Sequence, residues 1–297
     1  MKTFLKLLIF FLIVVIGFAG LAVYWTFMKP LPDHTEDQQI PGVQAPVTIH
    51  WDTDGVPHIY AENRKDAYRA IGYVHAQDRL WQMTVSQLAA EGRFAEFFGS
   101  DALPFDKMQR TIGFWKVAGE IEKQLPDSIK SYLQAYTEGV NTFTRKHKNR
   151  LPVQFALADM QPITWQIRHT LALSRLMAWE LNVAWLSELS YNIAASRMSE
   201  EALEDFWPVG PSKTYGASSS PTIPENLKAG LQQFLDRQHE LQKMLGQVTS
   251  HVGSNAWAVD GRKTDSGMPM LAGDPHLGLR MPGKWYEIHL HVNGRDI

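Results

Sequence analysis

The chain has 297 residues, of which 44% are hydrophobic and 20% charged, so it can bury a substantial core and is not expected to be disordered. Its formal net charge of −2 and its pI near 6.6 provide no uniformly positive field, which argues against a nucleic acid partner. The absence of cysteine excludes disulfides, thiolate nucleophiles and cysteine-based zinc sites, so catalysis would have to use oxygen or nitrogen.

The N-terminal segment is apolar enough to enter a membrane. Residues 7–28 carry no charge, and about 20 apolar residues match the thickness of a bilayer core. The aromatic residues near its end are typical of a membrane interface and favour an uncleaved anchor over a secretory signal. Lys2 and Lys6 precede the run and predict a cytoplasmic N-terminus. We therefore expect residues 1–29 to be an anchor or signal, with the rest anchored at the inner membrane facing the periplasm, or exported to it.

A linker and a hairpin are predicted next. Residues 30–46 are rich in Pro, Asp and Gln, which favours an extended tether. Residues 47–51 alternate like a strand, and a turn at Asp54-Gly55 leads into a second short strand. Apolar residues then recur at three- and four-residue steps as far as Val85, which predicts a helix capped by Asp66.

Helical patterns dominate up to residue 250. They cover residues 129–145, 169–197 and 227–246, and a glycine- and serine-rich stretch at 208–224 predicts an exposed loop. A strand pattern starts directly after Gly253-Ser254, so the sequence predicts an α+β protein. From composition alone, this change is simply a boundary between a helical layer and a sheet.

Several common catalytic motifs do not occur in the sequence. We find no Gly-x-Ser-x-Gly, Ser-x-x-Lys, His-Glu-x-x-His, dinucleotide-binding or Walker motif. His289 and His291 alternate on a predicted strand and could share one face as metal ligands. Because two histidines on a strand more often serve packing or surface roles, we assign no zinc site to them.

Two blocks of sequence resemble the penicillin acylase family of N-terminal nucleophile (Ntn) hydrolases. The first resembles the start of that family's first chain and comprises residues 55–59, 70–83 and 92–96. The second resembles the start of its second chain and comprises residues 253–259, 273–279 and 285–289. The resemblance covers residues 46–297 and implies the N-terminal part of a precursor.

The resemblance implies self-cleavage before a serine. In this family the precursor cuts itself, a spacer is removed, and the freed serine uses its own α-amine as general base. Here the cut would fall between Gly253 and Ser254, with Ser254 as the nucleophile. An α-amine titrates near about 7.7 to 8.0, so much of it can accept the hydroxyl proton near neutral pH without a histidine.

Other site residues follow from the same resemblance. His276 matches a position where some members carry a histidine near the nucleophile, and it would orient the amine or relay a proton; the alternative is a plain turn after a buried strand. Asn255 would position the nucleophile or simply begin the strand. Glu188 matches a structural Ca²⁺ carboxylate, whose remaining ligands would lie beyond the end of this chain. No organic cofactor is implied.

The family fold would be incomplete here. The resemblance implies a four-layer αββα sandwich, of which this chain would supply the helical region and the first strands. We expect a linker at 30–46, the first chain at 47–210, a loop and spacer at 211–253, and a truncated second chain at 254–297. The oxyanion-hole donors would lie beyond the end, and losing one such donor costs about 2.7 to 4 kcal/mol of transition-state stabilisation. This chain alone is therefore expected to be a poor catalyst.

Two functions are left open by the sequence. The first is a membrane-anchored amidohydrolase precursor that acts on a carboxamide, such as a β-lactam side chain or an acyl-homoserine lactone, with the remainder of the second chain as its partner. The alternative is a truncated, catalytically silent membrane-anchored fragment with a binding role or none. Cleavage at Gly253-Ser254 distinguishes them.

Overall fold

The computed structural model describes residues 2–32, 34, 40–182, 184–195, 197–206, 230, 253–277 and 281–296. The chain divides into two compact units, residues 1–176 with 286–297, and residues 177–285. Across the described residues the helices are α1 (Lys2–Val23), α2 (Arg64–Glu91), α3 (Ala95–Phe98), α4 (Leu103–Ile112), α5 (Phe114–Gln124), α6 (Asp127–Lys146), α7 (Val153–Leu157), α8 (Ile167–Leu181), α9 (Ala184–Ala195) and α10 (Glu200–Phe206). The strands are β1 (Thr48–Trp51), β2 (Pro57–Ala61), β3 (Gly253–Val259), β4 (Met270–His276), β5 (His289–Val292) and β6 (Arg295–Asp296). The predicted α+β class is confirmed.

The N-terminal helix is isolated and apolar. Helix α1 continues into a π-helical turn at Tyr24–Met28. The stretch Thr3–Met28 is long and apolar enough to cross a membrane, and none of it is buried within the protein. Lys29 places its Nζ 3.2 Å from the centre of the Trp25 ring. This helix is compatible with a membrane span or a signal peptide.

A four-stranded sheet in the first unit pairs strands from residues 48–61 with strands from residues 289–296. Its strand order is β1-β2-β5-β6. The antiparallel pair β1–β2 confirms the predicted hairpin, whereas β2 and β5 pair in parallel, with His58 opposite His289. Strands β5 and β6 pair through a turn in which Asn293 and Gly294 both have positive φ, as a tight hairpin requires.

One face of this sheet packs inward. Ala61 and Val292 are buried with Ala67 of α2, and Leu290 packs against them. The side chains between these residues point to the opposite face, because neighbours along a strand alternate. That opposite face carries His50, His58, Tyr60, His289 and His291.

Helices α2 and α6 are packed unusually closely. A Cβ atom added at Gly72 would lie 2.1 Å from the backbone oxygen of Tyr136, and one added at Gly139 would lie 2.0 Å from that of Arg69. Only glycine permits this separation, so both glycines hold the two helix backbones in contact.

The start of α2 corrects one prediction. Asn63, rather than Asp66, caps the helix, since its Oδ1 accepts a hydrogen bond from the Asp66 N–H at 2.9 Å. Asp66 is only 1% exposed and accepts from the N–H groups of Gln44 and Ala45, each at 3.0 Å. Burial tends to raise the pKa of Asp66, but these N–H groups and the Asn63 amide outweigh it, so its pKa lies below the ordinary value. The Asp66 carboxylate therefore binds the end of the linker, at Gln44 and Ala45, to the first turn of α2.

Replacing Asp66 with Asn is expected to destabilise the protein by about 1 to 3 kcal/mol, because an amide turned toward these donors leaves some of them unpaired. Urea unfolding followed by circular dichroism measures this. Because the pKa is depressed, the contribution of Asp66 is present above the pKa of the unfolded chain and is lost as pH falls through the lower folded value. Asp127→Asn, at an exposed position in the first turn of α6, is the control and should change stability by less than about 1 kcal/mol. Equal effects of the two variants would contradict this account.

The helix predicted over residues 169–197 is wrong as a single element, because α8 and α9 are separate helices. The N–H of Asn182 is shared between the carbonyls of Ala178 and Trp179, a pattern common at helix ends, and asparagine has low helix propensity. The predicted helix at 227–246 lies outside the described residues apart from residue 230, as does most of the predicted spacer.

Candidate active site

The candidate active site lies on a β-hairpin in the second unit. Strands β3 and β4 pair antiparallel over seven residues each, from Gly253 opposite His276 to Val259 opposite Met270. The predicted strand after Gly253-Ser254 is therefore present, and it begins at Gly253 itself. Both candidate cleavage residues thus stand at the open end of the hairpin, away from the connecting loop.

Short polar contacts shape the loop between the two strands. The Asp260 carboxylate accepts from the Arg262 N–H at 2.9 Å, and Thr264 donates to the carbonyl of Met268 at 2.7 Å. A Cβ atom at Gly261 would lie 2.4 Å from the carbonyl oxygen of Gly267, so the loop folds back on itself at a position that requires glycine. This closed loop holds the two strands in one register.

Ser254 is exposed and lies opposite Pro275. Because side chains alternate along a strand, the Ser254 side chain points to the face opposite that of Asn255. Cleavage before Ser254 would turn its backbone nitrogen into an α-amine, and this nitrogen lies in the strand between the two faces. The hydroxyl and the prospective amine belong to the same residue, and the structure places that residue, exposed, near the start of a strand.

His276 lies beside the candidate cleavage bond. It faces Gly253 across the hairpin, and its Nε2 is 2.6 Å from Oδ2 of Asp274. Asp274 in turn lies opposite Asn255. The register thus brings His276, Asp274 and Asn255 to one face, opposite the Ser254 side chain. The predicted roles of His276 and Asn255 remain predictions.

Large apolar side chains on the hairpin are exposed. The exposed fractions are 50% for Trp257 and 83% for Leu271. Within the described residues, β3 and β4 form a sheet of only two strands. An isolated two-stranded hairpin is marginally stable in water, so this unit has apolar area to bury against further structure.

Glu188 lies on α9 and its side chain is exposed, while its carbonyl accepts from Asn192 at 2.8 Å. Calcium takes about six to eight oxygen ligands, and one carboxylate cannot supply them. Within the described part of the chain no three His, Asp or Glu side chains converge on a possible ion position. The described residues therefore do not by themselves fit a calcium ion, and Glu188 as a ligand remains a prediction.

The first unit contains a polar network that the sequence analysis did not identify. Tyr286 donates to Asp78 at 2.5 Å, and its ring meets that of His75 edge-on at 4.9 Å between ring centres. His75 Nδ1 lies 3.1 Å from the Tyr136 hydroxyl. Asp78 and His75 stand on one side of α2, three residues apart, and that spacing was the only available signal. The network joins α2, α6 and the segment before β5.

This network predicts a pH dependence of stability. Burial lowers the pKa of His75 to about 4, and the positive charge of Arg79 adds to the effect. Since histidine in an unfolded chain titrates near about 6.5, the neutral ring contributes stability above that pH, and the contribution is lost as pH falls toward 4. We expect the free energy of unfolding to drop by up to about 3 kcal/mol over this range. Urea titrations at several pH values test this, and a His75→Asn variant should have a flatter profile. The same slope in both proteins would contradict the assignment.

Comparison with known proteins identifies the family. A family model described as penicillin amidase matches residues 46–297. The chain belongs to the penicillin amidase family. Its match begins at the end of the predicted linker and includes both strands of the candidate site, which confirms the resemblance found in the sequence.

Curated members of the penicillin amidase family are similar over most of this chain. The penicillin acylase 2 proenzyme of Pseudomonas sp. (strain SE83) is 34% identical over 278 residues, which cover 90% of this chain and 35% of that protein. The acyl-homoserine lactone acylase QuiP of Pseudomonas fluorescens (strain Pf0-1) is 27% identical, over 90% of this chain and 33% of its own length. This chain thus spans about a third of the length of these relatives. A solved structure, a thermostable penicillin G acylase from Alcaligenes faecalis, aligns with a TM-score of 0.48 and 18% identity over 60% of this chain and 97% of that one.

Proposed function

We propose that this chain is the N-terminal part of an amide-hydrolase precursor that cleaves itself between Gly253 and Ser254. The observation that carries the proposal is the position of Ser254, which is exposed at the start of β3 directly after a glycine, in a chain of the penicillin amidase family. The four-layer αββα sandwich belongs to the same proposal, with β3 and β4 as its first strands in the second chain.

The chemistry uses the serine twice. In self-cleavage the Ser254 hydroxyl attacks the Gly253 carbonyl carbon, the peptide C–N bond breaks, and an ester links Gly253 to the serine oxygen. Water then hydrolyses the ester and leaves Ser254 with a free α-amine. In turnover that amine accepts the hydroxyl proton while the oxygen attacks the substrate amide, the C–N bond breaks, and the proton passes to the leaving amine. Water then hydrolyses the acyl ester on the serine oxygen, which releases the carboxylic acid and restores the hydroxyl. His276 beside the scissile bond would orient the amine.

The proposed substrate is a carboxamide with an apolar acyl group. The names of the relatives support this class, since they include a penicillin acylase and acyl-homoserine lactone acylases. A β-lactam side chain and an acyl-homoserine lactone are therefore the two compounds to test first. Calcium bound by Glu188 with ligands from elsewhere belongs to this proposal as a structural ion.

The proposed location is the periplasmic side of the inner membrane. The apolar helix supports attachment or export, and Lys2 and Lys6 on its short N-terminal side support a cytoplasmic N-terminus. Everything after Lys29 would then lie outside the cytoplasm.

The experiment is intact mass measurement with N-terminal sequencing. Residues 1–297 are expressed alone and again with the sequence encoded directly downstream of Ile297, and both products are analysed. A new N-terminus at Ser254 is the expected result, and release of free amine from the two amides should follow in the longer form. An uncut chain in both forms would overturn the proposal in favour of a silent, membrane-anchored fragment.

A further inference from the structure

Four histidines occupy the outward face of the first unit's sheet. His50 lies opposite His58 in the β1–β2 pair, and His58 lies opposite His289 in the β2–β5 pair. His291 follows two residues after His289 on the same face. The function proposed above uses none of them.

His58 and His289 stand apart from the other two because their rings face each other directly. Their Nδ1 atoms are 3.0 Å apart, and the ring centres are 5.0 Å apart at 61°. Both side chains are about one third exposed, at 32% and 33%, so solutes can reach them. Two ring nitrogens at this distance share a positive centre, which is either the proton of an N–H···N hydrogen bond or a bound cation, since two bare lone pairs would repel.

Carboxylates approach the other side of each ring. The His58 Nε2 is 3.2 Å from Oδ2 of Asp52, and the His289 Nε2 is 3.5 Å from Oδ1 of Asp296. The same Oδ1 lies closer, at 2.6 Å, to Nδ1 of His291. An ionised carboxylate can only accept hydrogen bonds, so it favours the tautomer that carries its proton on Nε2. Without a metal, one Nδ1 donates its N–H to the other. A metal ion that replaces this proton uses both Nδ1 atoms as electron-pair donors, with each ring proton on Nε2 on the carboxylate side. Metal-binding histidines characteristically donate their second N–H to such a carboxylate.

We propose that His58 and His289 form a two-histidine binding site for a divalent transition metal ion of the Zn²⁺, Ni²⁺ or Cu²⁺ type. Imidazole suits all three ions. A metal–nitrogen bond of about 2.0 to 2.1 Å puts two adjacent ligand nitrogens about 3.0 Å apart at right angles, and about 3.3 Å apart in a tetrahedron. The observed separation therefore needs a shift of a few tenths of an ångström at most.

Water completes the coordination shell. No three His, Asp or Glu side chains within the described residues converge on one point, so the protein supplies two ligands and the carboxylates act through the rings. Asp52 and Asp296 also place negative charge near the ion, which offsets part of its charge at the sheet surface. An affinity lower than that of a closed four-ligand site follows from this arrangement.

A bound ion would link two strands that are distant in sequence. His58 precedes the proposed cleavage bond and His289 follows it, so the ion would bridge β2 and β5 across both products of cleavage. The metal site itself does not depend on cleavage, and its test can succeed or fail independently of that proposal.

The test uses the full chain without an affinity tag, purified in detergent and freed of metal with EDTA. Zn²⁺, Ni²⁺ and Cu²⁺ are titrated separately by isothermal calorimetry. We expect one saturable equivalent, with affinity reduced at least about tenfold in His58→Ala and in His289→Ala. Asp52→Asn should weaken binding about 10- to 100-fold through the His58 ring. His50→Ala is the matched control on the same face and should bind as the unchanged protein does.

A spectroscopic measurement on the unchanged protein tests the proposal even if the variants fail to fold. Electron paramagnetic resonance of the Cu²⁺ complex should show hyperfine coupling to two imidazole nitrogens. Absence of saturable binding by any of the three ions would overturn the proposal. So would coupling to fewer than two nitrogens, or a loss of binding in His50→Ala that is absent in His58→Ala and His289→Ala.

Discussion

Ser254→Ala is expected to leave the precursor as a single uncut chain, with no new N-terminus and no amide hydrolysis. Without the hydroxyl nothing attacks the Gly253 carbonyl, and without the cut no α-amine is released to act as base. Removing the nucleophile of a serine hydrolase lowers the rate by about 10⁶-fold, so cleavage would fall below detection. The measurement is intact mass and N-terminal sequencing of the variant, expressed with the downstream sequence beside the unchanged protein.

Two controls make this result specific. Ser254→Cys keeps a nucleophile at the same strand end and should still be cut, whereas Ser266→Ala alters another hydroxyl of the same hairpin loop and should be cut normally. Cleavage that persists in Ser254→Ala, or that occurs at another bond, would rule out Ser254 as the self-processing nucleophile.

Gly139→Ala and Gly72→Ala are expected to be the most destabilising substitutions in the helical part of the first unit. Each added Cβ would lie about 2 Å from a backbone carbonyl oxygen of the facing helix, at 2.0 Å for Gly139 and 2.1 Å for Gly72. Backbone cannot rotate away as a side chain can, so α2 and α6 would have to separate and lose packing along their whole contact. We expect a loss of about 3 kcal/mol for each, measured as the shift in the urea midpoint.

Gly119→Ala is the matched control for these two variants. It is also a helical glycine, but its added Cβ would meet the guanidinium of Arg168, the end of a flexible side chain, at 2.8 Å. The gain in helix propensity is about 1 kcal/mol, and it should offset the shift of Arg168, so the net change should stay within about 1 kcal/mol. Equal losses of stability in all three variants would contradict the conclusion that Gly72 and Gly139 are required for the close approach of α2 and α6.

Local patterns in the sequence predicted the local structure well. The alternation around Asp54-Gly55 gave the β1–β2 hairpin, and the apolar spacing after Asp66 gave most of α2. The strand that starts at Gly253 was also anticipated. The capping residue was misassigned because Asn63 and Asp66 are both good caps, and only the direction of one hydrogen bond decides between them.

Pairings between distant segments could not be predicted in the same way. The alternation of residues 289–291 predicts a strand but not its partner, so the parallel pairing of β5 with β2 could not be predicted from it. The contact between His58 and His289 depends on that pairing. The sequence analysis therefore discusses only His289 and His291 as a pair. For the same reason the hydrogen bond from Tyr286 to Asp78 was not foreseen, although both residues lay within the two family-like blocks. The resemblance indicated His276 and Asn255, whereas the role of Asp274 depends on the strand register, which places it beside His276 on the face that carries Asn255.

The parallel pairing of β2 with β5 also fixes an order of events during biosynthesis. The paired residues His58 and His289 are 231 positions apart. At a synthesis rate of about 5 to 20 residues per second, β2 must wait roughly 10 to 50 s after its own emergence before β5 exists. Helices α2 and α6 can pack long before that, because all their residues precede position 147. Until β5 arrives, the edge of β2 that will receive it has unpaired N–H and C=O groups, so the nascent chain is most vulnerable to aggregation in this interval.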